Sequence, residues 1–462
     1  MVTRPPIITI LGHVDHGKTT LLDKIRSSHV AAKESGGITQ HIAAYQVEYQ
    51  GRRLTFVDTP GHAAFSAMRK RGGLIADIAI LVVAADDGIM PQTRESIEHI
   101  KVAKIPFIVA VNKIDLEGVN IQKIKTQLAE MGEYVEGFGG NIPFVEISAK
   151  TGKNLDTLLE TLILLADIQE LKDNSEEIPT AVVIESKTDP RKGPLATLIV
   201  KSGIFYGKQA LYQSSGESIG KIRALFDFQG QEITQAPPST PIQIIGFEKP
   251  LNVGDIITTD PCFQLDISFC QPLSCISSKS ADTCLNLIIK TDVLGSLEAI
   301  FSSLPEGVNL ISSGAGQVTE SDIHLAQAEN ALIICFNTKA DSSIKKLAQV
   351  ESVQIISFKI IYELLDYLVD TLKKRQLIQS QAIEIGQVKI IRVFCFDDKT
   401  VYGCVVISGK FRLGDLVESA KIVSLQIGKK PINEVKKGEE FGLILDPQLD
   451  FKEGDVIKSH SN

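Results

Sequence analysis

Tryptophan is absent from this chain, methionine occurs only four times, and no apolar run reaches the roughly 20 residues needed to span a bilayer. The seven cysteines (Cys262, Cys270, Cys275, Cys284, Cys335, Cys395, Cys404) are odd in number and never stand as Cys-x-x-Cys. That pattern argues against a disulfide framework or a thiolate metal site and predicts reduced thiols in a reducing compartment. A basic excess is lacking too: 48 Lys and Arg against 56 Asp and Glu leave a net charge of −8, which by itself argues against a bulk nucleic-acid binder. From Gln381 onward the chain carries 12 basic and 12 acidic residues, so the whole acidic excess lies upstream. Short basic clusters at Arg69-Lys70-Arg71, Lys373-Lys374-Arg375, Lys429-Lys430 and Lys436-Lys437 read as solvated faces. Met1 to Pro6 leads straight into an apolar run, which predicts no signal or transit peptide.

What is present begins with length: 462 residues exceed a single core and predict about three or four domains. The apolar run Ile7 to Leu11 is followed by Gly12-His13-Val14-Asp15-His16-Gly17-Lys18-Thr19-Thr20. This is the G-x-x-x-x-G-K-[ST] spacing of a phosphate loop between a strand and a helix. Its glycines let backbone N–H groups close around phosphate oxygens, and the helix N-terminus adds a favourable field. Lys18 can reach the outer phosphates, and the Thr19 hydroxyl is a hard oxygen ligand for Mg²⁺.

Companion motifs follow in order. A hairpin around Gln50-Gly51-Arg52 leads into a strand ending in Asp58-Thr59-Pro60-Gly61-His62, where Asp58 is placed to hold Mg²⁺ and Gly61 to approach a terminal phosphate. The strand Phe107 to Val111 ends in Asn112-Lys113-Ile114-Asp115. A carboxylate there accepts two N–H bonds from guanine N1 and N2, and a buried Asp115 would be left unsatisfied by adenine. The strand Phe144 to Ile147 ends in Ser148-Ala149-Lys150, a loop expected to cover the base. The motifs all fall at the carboxyl ends of strands, as expected for a parallel α/β sheet with helices on both faces. The expected nucleotide is GTP or GDP with Mg²⁺.

This first domain resembles the translational GTPases, on the phosphate loop with two histidines and on Asp58-Thr59-Pro60-Gly61-His62. The resemblance implies that His62 positions the attacking water and that Thr39, in Gly36-Gly37-Ile38-Thr39, ligates Mg²⁺ while the γ-phosphate is present. It further implies an apolar gate of Val14 and Ile38 beside His62, with Asp15 helping to hold a monovalent cation or the phosphates. Arg69 and Arg71 are the candidates for a cis arginine finger. Neither is a dependable one, so slow intrinsic turnover stimulated by an external activator is expected.

Ile163 to Glu177 reads as a helix running into a polar stretch, with Pro179 marking a boundary. Short strands and turns from Thr180 to Asp260 predict a small β-barrel. That barrel has an echo: Ser202-Gly203 with Phe205 and Gly207 resembles Ser408-Gly409 with Phe411 and Gly414, and Val253-Gly254-Asp255 resembles Glu453-Gly454-Asp455. Between the two lie strands at Leu285–Lys290, Leu332–Phe336 and Gln354–Ile356, which predict a second, smaller parallel sheet. Ile360, Ile361, Leu364, Leu365, Leu368, Val369 and Leu372 then recur at helical spacing. The expected fold is multidomain α/β: a phosphate-loop GTPase domain over 1–178, a β-barrel over 179–262, a small α/β sandwich over 281–358, a linking helix over 359–380 and a C-terminal barrel over 381–462.

This order resembles the bacterial and organellar translation initiation factor 2 family, most tellingly at Gly295-Ser296-Leu297-Glu298-Ala299, Thr319-Glu320-Ser321-Asp322 and Ile360-Ile361-Tyr362. The resemblance implies a monomer without membrane attachment, cytoplasmic or in an organellar stroma, that brings formylmethionyl initiator tRNA to the small ribosomal subunit. It implies GTP hydrolysis when the large subunit joins. An elongation-type carrier of aminoacyl-tRNA, or a ribosome-binding scaffold that handles no tRNA, are the alternatives. The family's long N-terminal extension is missing, which suggests a compact form or a core fragment. Frequent isoleucine without tryptophan hints at an A+T-rich genome, such as a plastid's. In the last barrel the resemblance assigns tRNA contacts to Cys404, Glu440 and Gly442. Where family members carry Lys-Arg-Phe after a Ser-Leu pair, Ser424-Leu425 is followed by Gln426-Ile427-Gly428, so Lys429 and Lys430 are expected to supply the charge from a shifted position.

Overall fold

The computed structural model describes residues 3–26, 43–60, 65–189, 191–263, 285–380, 384–396, 399–417, 420–428, 430–446, 451 and 453–460. The chain divides into two compact units, Met1–Asp366 and Tyr367–Asn462. The first unit opens with β1 (Ile7–Gly12), α1 (Lys18–Arg26), β2 (Ala43–Tyr49), β3 (Arg52–Asp58), α2 (Ser66–Ile75), β4 (Ile78–Ala84), α3 (Pro91–Ala103), β5 (Phe107–Asn112), α4 (Ile121–Glu130), β6 (Phe144–Glu146) and α5 (Leu155–Ile168). The sheet order is β2-β3-β1-β4-β5-β6, with only the β2–β3 pair antiparallel.

Two cores explain why the central strand β4 is apolar at every position. Ile78, Ile80 and Val82 face one layer with Leu21 and Leu158, while Ala79, Leu81 and Val83 face the other with Ile97 and Leu128. Side chains alternate across a strand, so a sheet covered on both faces admits no polar period. The helix expected over 163–177 is instead α5, which starts earlier and stops at Ile168. Its buried stripe of Leu155, Leu158, Leu159, Leu162 and Ala166 ends there, and Glu170 turns to a φ of 46°.

The next strands are β7 (Thr180–Asp189), β8 (Gly193–Ser202), β9 (Phe205–Tyr206), β10 (Ala210–Gln213), β11 (Ser218–Asp227), β12 (Glu232–Ile233), β13 (Gln235–Ala236), β14 (Pro241–Phe247) and β15 (Ile256–Thr258). Six of them close a ring, β10-β15-β7-β8-β14-β11 and back to β10. Then come β16 (Leu285–Thr291), α6 (Leu294–Ser302), β17 (Val308–Ala315), α7 (Glu320–Ala328), β18 (Leu332–Phe336), α8 (Ser342–Val350) and β19 (Ile355–Phe358). They form a parallel sheet in the order β17-β16-β18-β19. The half-buried β17 was not read from the sequence. Thr319 and Asp322 form a reciprocal capping box at the start of α7, and Asp322 also pairs with Lys290 at 2.9 Å.

Helix α9 (Ile361–Ser380) crosses into the second unit and buries Ile361, Leu364, Leu368 and Leu372. The second unit continues with β20 (Glu384–Phe396), β21 (Lys399–Arg412), β22 (Leu416–Val417), β23 (Ala420–Ile427), β24 (Lys430–Ile432), β25 (Glu434–Lys436), β26 (Glu440–Asp446) and β27 (Val456–His460). Its ring, β22-β27-β20-β21-β26-β23 and back to β22, repeats the connectivity of the first barrel strand for strand. The repeat reaches single hydrogen bonds. Gly254 N donates to Val183 O at 2.7 Å and Val183 N to Asp255 O at 3.0 Å; Gly454 N donates to Ile390 O and Ile390 N to Asp455 O, both at 2.9 Å. Both glycines take a left-handed φ, 93° and 98°, which makes Gly-Asp the signature of that turn.

In the first unit a polar junction fixes the first barrel to the sheet domain. Arg4 grips Asp77 with two bonds of 2.6 Å and reaches Ser239 Oγ at 3.1 Å. Thr55 Oγ1 donates to Ser239 O at 2.6 Å, and Lys201 Nζ to Ile75 O at 2.6 Å. Burial works to raise the Asp77 carboxyl, but the Arg4 bonds and the Lys201 charge outweigh it and hold it below the usual carboxylate range. A depressed carboxyl contributes stability above its unfolded pKa, near 4, and loses it as pH falls through the folded value. Asp77→Asn is therefore expected to cost on the order of 3 kcal/mol at pH 7. The gap between variant and wild type should close as pH falls below about 4. Thermal unfolding from pH 7 to pH 3 reads this, and parallel curves would remove the charge from the junction's stability.

Candidate functional site

The loop after β1 is shaped by residues that only glycine can replace. Gly12 has a φ of 145°, and a Cβ there would lie 2.4 Å from the Val82 carbonyl oxygen. Gly17 has a φ of 85°, and its Cβ would lie 2.3 Å from Asn112 Nδ2. Asp15 also takes a left-handed φ, 63°. Lys18 opens α1 and curls back inside the loop, where its Nζ donates to Gly12 O at 3.0 Å and His13 O at 2.5 Å. Burial pushes this ammonium down to about 8, against the pull of Asp58. A buried cation inside a glycine-bent loop is a cradle for an anion. Thr19, partly buried, and Asp58, buried at the end of β3, carry the hard oxygens that suit Mg²⁺. The residues present thus fit a nucleotide phosphate with its cation.

The loop's histidines do different work. His16 is fully buried with Nδ1 3.2 Å from Val82 O, and burial pushes it down to about 4, so it is neutral at pH 7. Its ring is a packing element under the loop, which leaves its backbone for any ligand contact. His13 lies edge-on to it at 5.1 Å and is also lowered, first by burial. Thr20 is exposed, and the Thr59 hydroxyl is committed to Ile10 O at 2.7 Å.

Asn112 joins two motifs that are far apart in sequence. Its Nδ2 donates to His16 O at 2.9 Å, and its Oδ1 accepts from Ala149 N at 2.9 Å. Lys113, at a φ of 65°, pairs with Asp86 at 3.0 Å and Asp87 at 3.6 Å. Asp115 accepts from Ser148 Oγ at 2.7 Å, a bond that holds its carboxyl below the usual range. Contrary to the expectation of a buried carboxylate, Asp115 is exposed, because it stands past the end of β5. Lys150 is exposed as well, and Ala149 buried.

Arg69 overturns its reading as an arginine finger and as part of a solvated face. It is fully buried, with Nη2 2.8 Å from both Glu95 oxygens and Nη1 donating to Pro60 O at 3.1 Å. A guanidinium so committed cannot swing to a phosphate. Thr39, Gly61, His62 and Lys429 lie outside the described residues, as do Gly36, Gly37, Ile38 and the side chain of Arg71.

A second candidate site lies in the C-terminal barrel. Cys404, Glu440 and Gly442 meet at a cleft of about 470 Å³ that is also lined by Ile391, Arg392, Phe394, Val401, Gln426 and Gly428. Cys404 is buried, its thiol directed at Tyr402 O at 3.5 Å and pushed up by burial to about 12, so it is inert. Lys430 is exposed on β24 and is not among the lining residues. Arg392 and Phe394 were missed by sequence reasoning. Their signal was the Arg-x-Phe period on one strand face. Gly403 stands opposite Arg392, and a Cβ there would lie 3.3 Å from the Arg392 carbonyl oxygen and in ordinary contact with the Phe394 ring.

Family profiles match three stretches: Elongation factor Tu GTP binding domain over residues 3–167, Elongation factor G domain 2 over 179–260, and Translation-initiation factor 2 over 272–369. Among curated relatives named Translation initiation factor IF-2, that of Persephonella marina is 41% identical, the alignment covering 100% of this chain and 56% of the relative. That of Bartonella bacilliformis is 40% identical over 99% of this chain and 58% of its own length. That of Caldanaerobacter subterraneus subsp. tengcongensis is 40% identical over 99% and 70%. The chain thus spans little more than half the length of the first two.

Asn112→Ala would leave the buried His16 carbonyl and Ala149 N–H without their partner. A loss of about 2–6 kcal/mol is expected, since each of the two stranded groups costs about 1–3 kcal/mol. Urea unfolding of variant and wild type measures it; a change under about 0.5 kcal/mol, the level of a neutral surface substitution, would remove Asn112 as the tie.

Proposed function

The chain belongs to the translation initiation factor IF-2 family, and on that premise we propose that it binds GTP at the Gly12–Thr20 loop and hydrolyses it to GDP and phosphate during translation initiation. Lys18 and the loop backbone hold the phosphates. Thr19, Asp58 and Thr39 hold Mg²⁺, which when bound takes up part of the phosphate charge. Asn112, Lys113 and Asp115 hold the guanine, and Ser148 to Lys150 cover it. His62 orients the water that attacks the terminal phosphorus as the bond to the GDP oxygen breaks. Asp15 helps hold the phosphates or a monovalent cation. The observation that carries the reading is the Asn112 amide, which ties the backbone of the phosphate loop to the Ser148–Lys150 loop. With Arg69 committed to Glu95, that arginine offers little to the transition state, which favours stimulation by the ribosome.

The C-terminal cleft takes the formylmethionyl end of initiator tRNA in this proposal, with the small and large ribosomal subunits as successive partners. Phe394 and Arg392 provide the stacking face and cation that the Gln426-Ile427-Gly428 stretch lacks, and Lys429 and Lys430 add charge beside it. The protein acts as a monomer in the cytoplasm or an organellar stroma. No described helix is long and apolar enough to cross a membrane.

Asp115→Asn turns an acceptor pair into one donor and one acceptor, so GTP affinity should fall and xanthosine triphosphate become the better ligand. Competition binding with the two nucleotides decides this, and unchanged preference for GTP would sink the base-reading role. For the second site, the full chain is titrated with formylmethionyl-tRNA at two salt concentrations. Phe394→Ala should weaken binding about tenfold, as loss of one stacked base would. Arg392→Ala and the Lys429/Lys430 double alanine variant should flatten the salt dependence, by about one in slope for each phosphate no longer neutralised. Absence of binding at low salt, or variants identical to wild type, would favour a ribosome-bound scaffold that handles no tRNA.

A further inference from the structure

Helix α3 carries a pair of side chains that the proposed reaction has not used. Gln92 and Glu95 are three residues apart and so share one helix face. Gln92 Oε1 accepts from Val14 N at 3.1 Å. On the other end of the same peptide unit, the His13 carbonyl accepts from Lys18 Nζ at 2.5 Å. A planar trans peptide points its C=O and N–H in opposite directions, so bonds at both ends fix its rotation. Released from Gln92, the peptide could turn its carbonyl into the cradle, where it would repel phosphate, and Lys18 would lose a partner. One turn further on, Glu95 holds Arg69 through both oxygens, and Arg69 holds the Pro60 carbonyl at 3.1 Å. The helix itself is anchored at its start: Gly88 N donates to Ala84 O at 2.9 Å and Ile89 N to Gln127 Oε1 at 3.1 Å.

We propose that the first two turns of α3 are a clamp that holds two backbone points in one register, Gln92 setting the His13–Val14 peptide and Glu95, through Arg69, setting the Pro60 carbonyl just past the end of β3. Gln92, Glu95 and Arg69 are positioning residues, for they act through backbone groups. The inference rests on the nucleotide site proposed above and adds a prediction that site alone does not make. In the reaction proposed above the phosphate loop serves GDP and GTP alike, whereas Pro60 leads in sequence into Gly61 and His62, which that proposal assigns to the terminal phosphate. Loss of the two grips should therefore be felt differently by the two nucleotides.

The test is stopped-flow dissociation of fluorescently labelled GDP and of a labelled non-hydrolysable GTP analogue, with Mg²⁺, from the full chain. Gln92→Met keeps the length of the side chain and removes the acceptor; both nucleotides should leave about fivefold faster, the effect of one lost neutral hydrogen bond. Glu95→Gln should speed release of the GTP analogue severalfold and leave GDP within about twofold of wild type, since only half of the charged grip is lost. Arg52→Ala, which removes an exposed pair with Asp167 remote from the loop, is the control and should change neither rate. Rates for Gln92→Met equal to wild type, or a Glu95→Gln variant that treats the two nucleotides alike, would overturn the clamp. Failure of the wild type to bind either nucleotide would instead refute the nucleotide site itself.

Discussion

The amide of Asn112 is the constraint on which the first site depends. A single side chain, placed by the last residue of a buried strand, satisfies the His16 carbonyl and the Ala149 N–H at once. Those groups belong to loops more than a hundred residues apart in sequence, and the amide joins their backbones directly. The amide also fills the space a side chain at residue 17 would need, so residue 112 adds to the requirement for glycine that the φ of 85° already sets. The position of any ligand that touches both loops is therefore decided by the strand register of β5 against its neighbours.

Around that tie the domain accepts several buried charges, each matched locally. Lys18 is held by loop carbonyls near the Asp58 charge, Arg69 by Glu95, and Lys201 near Asp77. An unmatched ion in such places would cost several kcal/mol, so each partner is as much a structural requirement as the charge itself. The three differ in what they leave available. Among the described residues, the hydrogen-bond partners of the Lys18 ammonium are neutral carbonyls, which the proposed phosphate would replace, whereas Arg69 already has a carboxylate. This difference separates a residue that handles ligand from one that shapes the backbone near it.

The two barrels show how a duplicated scaffold diverges. Both close six strands in the same order and turn on the same Gly-Asp pair. In the first barrel, Ser239 and Lys201 are spent on the junction with the sheet domain. In the second, Arg392 and Phe394 stand exposed on β20 and line an open cleft. The interior alternation is preserved in both because it makes the core, while the outward positions are free to acquire separate tasks.

Much of this was legible in the sequence. Apolar runs of strand length bounded by turns gave the parallel sheets, and the spacing of Gly12, Gly17 and Lys18 gave the loop, because local geometry forces those residue types at those positions. The Gly-Asp echo gave the barrel pair for the same reason. Other features depended on distances that no local pattern encodes. Arg69 sits in a basic triplet and reads as a surface charge until Glu95, on a different helix, is found beside it. Asp115 was expected to be buried and stands in solvent, since it lies past the end of β5. Phe394 and Arg392 were a two-residue period on one strand until Glu440 and Gly442 arrived opposite them through β21. Sequence by itself determined the elements and the chemistry each loop carries, because these follow from backbone conformation and burial along one segment. Only the tertiary structure decided which charges are free to meet a ligand and which are already paired, because pairing is settled by neighbours that sequence separation hides.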